Sequence, residues 1–165
     1  QKYHTAYFAE YPGLWRHGDY IEINEHGGVR IFGRSDATLN PGGVRIGTAE
    51  IYTVVENLPQ VNDSLVVGQP WDDDERIVLF VKLNTGFELN AALEMILRTA
   101  IRVNCSPRHV PAIILEIADI PYTINGKKVE IAVKKIIQGK EVQNRSALAN
   151  PESLDLFKDI AVLLV

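Results

Sequence analysis

Apolar and polar residues repeat with two different periods along the second half of the chain. Between residues 129 and 137 apolar side chains recur every three or four positions, which predicts a helix with one buried face. A longer helical pattern runs from Asn90 to about Val103, and a shorter one covers residues 48–57. The polar residues of the 128–138 segment are predicted to face solvent: Lys128, Glu130, Lys134, Lys135 and Gln138.

Short apolar runs of strand length separate these helices. They occupy residues 64–68, 77–83 and 113–117. The tail Asn-Pro-Glu-Ser after residue 149 has the composition of a helix start, with Asn150 as the cap and Pro151 at the first helical position. Because helices and short strands alternate, we predict a small α+β domain with a short-stranded central sheet flanked by helices.

The first part of the chain has a different character. Two β-prone runs, 20–23 and 29–32, flank the sequence Asn-Glu-His-Gly-Gly and predict a β-hairpin. Residues 33–43 are polar and rich in turn-forming residues, which is typical of a linker. We therefore predict that residues 1–36 are the end of a larger N-terminal domain and that residues 37–165 form the α+β domain. The first residue is Gln1 rather than Met, which leads us to expect a piece of a longer protein.

Composition narrows the possible functions. The 165 residues are 46% hydrophobic and 23% charged, which are globular values. A net charge of −4 disfavours general nucleic-acid binding, and no apolar run approaches the length of a membrane span. The single cysteine, Cys105, fits a reducing, cytoplasmic compartment.

The stretch Pro-Tyr-Thr-Ile-Asn-Gly-Lys-Lys, residues 121–128, raises the question of why a lysine occupies a turn before a helix. Thr123 or Asn125 can cap the first turn of that helix, and Lys127 then lies at the helix N-terminus, where the helix dipole favours anions. A lysine gains little there unless an anionic ligand binds, although an ordinary solvated lysine is the alternative. A Walker A loop is excluded, because Pro121 and Lys128 occupy positions that need Gly and Ser or Thr.

Other candidate residues are ambiguous when each is taken alone. Asp19 could accept hydrogen bonds from two ribose hydroxyls, or it could be an ordinary turn residue. Arg34 and Asp36 could form a local ion pair, and Gly42 and Gly43 could allow a ligand to approach the backbone or simply form a turn. Further residues of this kind are Arg45 after the glycines and Arg102 and Arg108 around a helix end. We interpret the acidic run 72–75 as a solvated loop, and Cys105 and His109 as structural residues.

The order and spacing of these motifs resemble the adenylate-forming acyl-CoA synthetases. Within that family, the stretches at residues 33–56 and 121–136 and the tail Asn-Pro-Glu-Ser-Leu-Asp-Leu-Phe look like the acetoacetyl-CoA synthetase branch. The motifs are W-x-x-G-D at 15–19, G-R-x-D at 33–36, G-G-x-R-I-G-x-x-E-I at 42–51, R-H-V-P at 108–111 and P-x-T-x-x-G-K at 121–127.

The resemblance implies a two-step reaction shared between a large domain and a small mobile one. ATP and a carboxylate such as acetoacetate give an acyl-adenylate and pyrophosphate, and the thiol of coenzyme A then displaces AMP. Mg²⁺ would accompany ATP, with its ligands mostly outside this chain. The implied roles are Lys127 catalytic for adenylation, Asp19, Arg34 and Arg45 at the nucleotide, Gly42, Gly43 and Arg102 at coenzyme A, and Asp36 as the hinge.

Two departures from the family pattern are His17, where many relatives have Thr, and Asn125, where many have Ser. The resemblance also implies that the chain needs its missing N-terminal domain and is inactive alone, and that acetylation of Lys127 would block adenylation. The adjacent Lys128 is expected to face solvent and to matter little. The alternative interpretation is a free-standing regulatory or interaction module that kept the fold and lost catalysis.

Overall fold

The computed structural model describes residues 2–142 and 144–164. It confirms the α+β class, with most elements close to the predicted positions. The helices are α1 (Lys2–Tyr7), α2 (Thr48–Val55), α3 (Ala91–Asn104) and α4 (Glu130–Ile137). The strands are β1 (Asp19–Ile23), β2 (Val29–Arg34), β3 (Val61–Trp71), β4 (Asp74–Leu83) and β5 (Ile113–Glu116). Short 3₁₀ helices lie at Pro41–Gly43, Pro107–His109, Arg145–Ala147, Pro151–Phe157 and Ala161–Leu163.

The central sheet has the order β3-β4-β5. Strands β3 and β4 form an antiparallel hairpin, and β5 pairs parallel to β4. The hairpin is longer than the apolar pattern predicted, because Asp72 and Asp73 adopt left-handed φ angles of 48° and 58° and close it with a two-residue turn. Asp72 and Asp73 of the acidic run thus form the exposed tip of this hairpin.

Both faces of this sheet are buried. Alternate residues of β4 point to opposite sides, so that Leu79 and Val81 join one core and Val78 and Phe80 join the other. Helices α2 and α3 cover the first face, through Ile51, Val55, Leu93, Leu97 and Ile101. Helix α4 and the C-terminal 3₁₀ segments cover the second, through Val133, Ile136, Ile137, Leu154, Phe157 and Leu163.

The N-terminal hairpin of β1 and β2 packs against the start of α2. A Cβ atom on the buried Gly47 would lie 2.4 Å from Phe32, so glycine is needed for β2 and α2 to approach this closely. The Glu50 carboxylate accepts a hydrogen bond from the Gly47 N–H at 3.1 Å and caps the helix. The outer face of the hairpin presents exposed apolar side chains in two cross-strand pairs, Ile21 with Ile31 and Ile23 with Val29.

Three local expectations were wrong. Leu39, placed in a linker by its polar surroundings, is buried and forms an antiparallel bridge with Ile46. Helix α4 begins at Glu130, so Lys127 lies in a loop three residues before it and Thr123 caps that loop instead of the helix. Asn150 does precede the 3₁₀ helix Pro151–Phe157, but its side chain makes no capping hydrogen bond to that helix.

Within the described parts of the chain, α3 is the longest helix at 14 residues, and none has the length and apolarity that crossing a membrane requires.

Candidate active site

Lys127 lies on a tight, well-bonded loop between residues 122 and 128. The backbone of Thr123 donates to the Lys127 carbonyl at 2.8 Å, and the Thr123 hydroxyl accepts from the Lys127 N–H at 3.0 Å. Gly126 has a φ of +72°, which closes the turn without strain. The Lys127 side chain is exposed, and its ammonium has no hydrogen-bond or ion-pair partner among the residues that the structure describes. The loop therefore presents a free cation on a rigid base.

Lys128 does not face solvent, which corrects the expectation from the helical pattern. Its side chain is only 15% exposed, and its ammonium donates to Glu56 at 2.5 Å, to Asp63 at 2.6 Å and to the Ser64 carbonyl. The ammonium also lies 4.3 Å from the centre of the Tyr52 ring, within cation–π range. The Lys127 side chain is thus exposed, whereas the adjacent Lys128 side chain is largely buried among its partners.

Asp19, Arg34 and Asp36 form one charged cluster, at the point where β1 begins and β2 ends. Arg34 donates to both carboxylate oxygens of Asp36, each at 3.2 Å, and its guanidinium lies 3.8 Å from Asp19. The hydrogen bond to Asp36 raises the pKa of Arg34, which keeps the guanidinium charged. A Cβ atom on Gly18 would lie 2.8 Å from the Arg34 guanidinium, so glycine at position 18 leaves room for it.

His17 belongs to the same cluster. Its Nδ1 atom lies 2.6 Å from Asp19, and its carbonyl accepts a hydrogen bond from Arg34 at 3.1 Å. The histidine that departs from the family pattern therefore contacts the Asp19 carboxylate, which the sequence did not reveal.

An open groove joins this cluster to the Lys127 loop. The residues that line it include Arg34, Asp36, Lys127, Glu130 and Ile131. Burial raises the pKa of Glu130, whose carboxylate accepts a hydrogen bond from the Tyr52 hydroxyl at 3.0 Å. The structure thus brings Arg34, which lies beside Asp19, and the predicted catalytic lysine to one surface.

The two glycines lie at a different place. Gly42 and Gly43 have φ angles of 57° and 75°, and the Gly42 N–H donates to both oxygens of Asp74 at 3.0 and 2.9 Å. Asp74 pairs with Trp71 at the end of β3, whereas Lys128 is anchored at Ser64 near its beginning. Seven residues of strand separate these points by about 20 Å, so the glycine loop and the Lys127 loop are distinct surfaces of one sheet.

Glu75 joins the glycine loop to α4. One carboxylate oxygen accepts a hydrogen bond from the Asn40 N–H at 2.7 Å, and the other lies 2.7 Å from the Lys134 ammonium. A Cβ atom on Gly68 would lie 2.0 Å from this carboxylate, so Gly68 provides the space that Glu75 occupies. Lys134 was predicted to face solvent, but its ammonium forms an ion pair with Glu75.

The remaining arginines differ in position. Arg45 is exposed next to the glycine loop in sequence, and Arg102 is exposed in the last turn of α3. Arg108 comes closest to the glycines, because a Cβ atom on Gly42 would lie 3.1 Å from its guanidinium. The motif R-H-V-P contained this residue, but nothing in the sequence showed that it reaches Gly42.

Cys105 and His109 contact the same residue of α2. The Cys105 thiol lies 3.6 Å from the Glu50 carbonyl, and the His109 ring lies 3.6 Å from the Glu50 carboxylate. Burial raises the pKa of the Cys105 thiol, which disfavours a reactive thiolate. Over residues 2–142 and 144–164, no three His, Cys, Asp or Glu side chains are grouped so that they could hold a metal ion.

Comparison with known proteins identifies relatives over nearly the whole chain. No family model matches it. It is 55% identical to the acetoacetyl-coenzyme A synthetase of Rhizobium meliloti and 56% identical to the acetoacetyl-CoA synthetase of Xenopus tropicalis, in each case over 98% of this chain. The alignments cover 25% and 24% of those two proteins, so the chain spans about a quarter of their length.

Solved structures agree with this relationship. The acetoacetyl-CoA synthetase of Streptomyces lividans superimposes with a TM-score of 0.89 and 42% identity, over 98% of this chain and 24% of that one. An acyl-CoA synthetase of Brucella canis matches 74% of this chain and 23% of its own with a TM-score of 0.58 and 31% identity. By sequence and by fold, nearly the whole chain is therefore homologous to acetoacetyl-CoA synthetases and matches about a quarter of such a protein.

Proposed function

We propose that this chain is the C-terminal portion of an ATP-dependent, AMP-forming acid–thiol ligase that joins acetoacetate to coenzyme A through an acyl-adenylate. The observation that carries the proposal is Lys127, an exposed ammonium with no partner among the described residues, on a hydrogen-bonded loop beside the Asp19–Arg34 cluster. The similarity to acetoacetyl-CoA synthetases supports the choice of acid.

The proposed first half-reaction brings two anions together, a carboxylate and the triphosphate of ATP. A lysine between them offsets their repulsion and stabilises the charge that develops at the α-phosphate. The ammonium of Lys127 is a compact charge on a flexible stem, which can follow the reacting oxygen atoms. Asp19 has two carboxylate oxygens suited to ribose hydroxyls, and Arg34 and Arg45 supply further positive charge for the nucleotide.

The proposed second half-reaction uses the other surface. Gly42 and Gly43 would line the path of the pantetheine arm, with Arg102 binding coenzyme A. Because the two surfaces are about 20 Å apart along β3, a rotation of residues 37–165 against residues 1–36 is needed to exchange them. Asp36 lies between these two units, and we propose it as the hinge residue.

The described residues fit the anionic groups of ATP and coenzyme A better than they fit a metal. Exposed cationic side chains are available for phosphates, whereas the described part of the chain has no cluster of metal ligands. We therefore assign Mg²⁺ to ligands outside this chain and derive no step from it. We also propose a cytoplasmic location, since a single cysteine suits a reducing compartment, and Lys127 as an acetylation site, since its ammonium is exposed.

The test uses a reconstituted synthetase, in which residues 1–165 are joined to the N-terminal remainder of the Rhizobium meliloti relative. We expect Lys127→Ala to reduce acetoacetate-dependent exchange between ATP and pyrophosphate by about 100-fold or more, a typical loss for a charge aimed at the transition state. Thioester formation from supplied acetoacetyl-adenylate and coenzyme A should stay within about twofold, because Lys127 is placed on the other surface.

Lys140 provides the matched control. It is an exposed lysine beyond the end of α4, and its side chain bonds only to Gln138 among the described residues. Lys140→Ala should leave both half-reactions unchanged. An unmodified reconstituted synthetase without acetoacetate-dependent exchange, exchange by residues 1–165 alone, or equal losses of both half-reactions in Lys127→Ala would each contradict the proposed function.

A further inference from the structure

The two residues that flank the Lys127 loop are held by one carboxylate. Tyr122 and Lys128 pair through an antiparallel backbone bridge at the base of the loop. The Tyr122 hydroxyl donates to one oxygen of Asp63 at 2.7 Å, and the Lys128 ammonium donates to the other at 2.6 Å. Asp63 belongs to β3, in the central sheet. Both ends of the loop are therefore fixed to the central sheet.

The contacts of Lys128 are complete. A lysine ammonium has three N–H donors, and the structure gives it three acceptors: Glu56, Asp63 and the Ser64 carbonyl. Its side chain is 15% exposed, and that of Asp63 is 17% exposed. An ordinary surface lysine has neither this burial nor this number of partners.

The Tyr122 hydroxyl stays protonated in this environment. Burial raises the pKa of Tyr122, and the negative charge of Asp63 raises it further. The phenol therefore remains a hydrogen-bond donor to Asp63 at physiological pH. The hydrogen bond from this donor stabilises the Asp63 carboxylate, and the charge of the Lys128 ammonium offsets its repulsion from the nearby Glu56.

We propose that Lys128 and Asp63 act as positioning residues for the Lys127 ammonium. This inference rests on the proposed function of Lys127 and adds how its position is set. Without Lys128, the carboxylates of Glu56 and Asp63 repel each other and the base of the loop loses a link to β3. A displacement of about 1 Å of a catalytic group can cost a factor of about 100 in rate. Lys128 thus contributes to adenylation without touching substrate.

The experiment compares three variants in the reconstituted synthetase. Lys128→Met removes the charge and keeps an aliphatic side chain that can still pack on Tyr52. Asp63→Asn keeps the size of the side chain but leaves one acceptor oxygen for the two donors Tyr122 and Lys128, so that one end of the loop is released. It keeps the proposal testable if Lys128→Met does not fold. Lys140→Met is the control, because it removes a lysine outside this network.

Adenylation and thioester formation are measured separately, at a temperature where circular dichroism shows each variant to be folded. We expect Lys128→Met and Asp63→Asn to reduce ATP–pyrophosphate exchange at least tenfold. Thioester formation from supplied acetoacetyl-adenylate should stay within twofold. The control should leave both rates unchanged. A purely structural role would lower both half-reactions together, or lower the melting temperature alone.

Two results would overturn the positioning role: equal losses in both half-reactions, or unchanged exchange in Asp63→Asn. Lys127→Ala, measured in parallel, separates the two proposals. If Lys127→Ala lowers exchange selectively and Lys128→Met and Asp63→Asn do not, only the positioning role fails. If Lys127→Ala itself leaves exchange intact, the proposed function fails.

Discussion

The lysine and arginine side chains of this chain differ in whether they form an ion pair with a carboxylate. Arg34 and Lys128 are paired with Asp36 and Asp63, whereas the side chains of Lys127 and Arg108 are exposed and have no carboxylate partner in the part of the chain that the structure describes. A free cation can bind an anionic ligand without first breaking an ion pair, and such charge-assisted hydrogen bonds are about twice as strong as neutral ones. Exposure and the lack of a carboxylate partner therefore mark Lys127 and Arg108 as available to a ligand, whereas Lys128 is held by its ion pairs.

Arg108 is the residue for which this distinction makes a new prediction. Its guanidinium lies beside Gly42, on the surface proposed for coenzyme A. We expect Arg108→Ala in the reconstituted synthetase to raise the KM for coenzyme A about tenfold, because a hydrogen bond to a charged group contributes roughly 1.5–3 kcal/mol. The rate of ATP–pyrophosphate exchange should not change.

Arg102→Ala is the comparison for this measurement. The family resemblance assigns Arg102 to coenzyme A, but the structure places it in the last turn of α3 and shows no contact with the glycine loop among the described residues. Steady-state kinetics with varied coenzyme A decides between the two arginines. An unchanged KM in Arg108→Ala would show that proximity to Gly42 does not extend to the ligand.

At the level of elements, the C-terminal tail is tied to the sheet and to the Lys127 loop by a chain of polar contacts. Asp119 accepts hydrogen bonds from Lys82 of β4 at 2.7 Å and from the Asn150 amide at 2.6 Å. The Asn150 oxygen in turn accepts from the Tyr122 N–H at 2.8 Å. The side chain predicted to cap a helix is used instead to fasten the start of the loop.

Asp119 makes the stability of this connection dependent on pH. Burial alone would raise the pKa of Asp119, but the hydrogen bonds from Lys82 and Asn150 outweigh it and lower the pKa below its ordinary value. The stabilisation is therefore present above the pKa of the unfolded chain, about 4, and is lost as the pH falls through the lower pKa of the folded state.

We expect Asp119→Asn to reduce the free energy of unfolding of residues 1–165 by about 1 kcal/mol or less at pH 7, since the carboxylate is partly exposed and screened. The difference from the unmodified chain should shrink towards pH 2. Urea unfolding followed by circular dichroism at several pH values measures it. A difference that is constant with pH would mean that the charge of Asp119 plays no part.

Sequence patterns predicted the helices and strands well, but they predicted less well which single side chains are exposed to solvent. Helices α2, α3 and α4 were found because their apolar residues recur on one face, which is a local property. Lys128 was misplaced because its partners Glu56 and Asp63 lie 72 and 65 residues away in sequence. Leu39 was missed because it is one apolar residue in a polar segment. Lys127, Asp19 and the glycines could be nominated by motif, but only the fold shows which of them share a surface.

At the level of the whole molecule, the central sheet and the N-terminal hairpin differ in how much of their surface is buried. The sheet of β3, β4 and β5 is buried on both faces, whereas Ile21 and Ile31 of the N-terminal hairpin are 46% and 61% exposed and pair across the strands. Exposed β-branched side chains on one face of a hairpin are typical of a surface that packs against another part of a protein. This supports the proposal that residues 1–36 belong to a larger domain.

The double substitution Ile21→Thr/Ile31→Thr tests that proposal. In residues 1–165 alone we expect less self-association and less binding of an apolar dye, with an unchanged melting temperature. In the reconstituted synthetase the same change should lower the melting temperature by several degrees, because the two side chains would then be removed from an interior contact. Light scattering, dye fluorescence and calorimetry provide the measurements. A melting temperature that is unchanged in the reconstituted synthetase would argue that the hairpin face stays in solvent.

The attachment of the Lys127 loop to Asp63 also has a consequence for the order of folding. The bonds from Asp63 to Tyr122 and Lys128 close 59 and 65 residues of chain, and bonds of such long range form only after the entropy of closing the loop has been offset. A hairpin such as β3–β4 needs only local contacts and can form early. The Lys127 loop is therefore completed late, when the sheet already exists, and its amide hydrogens should exchange with solvent sooner than those of the strand that holds it.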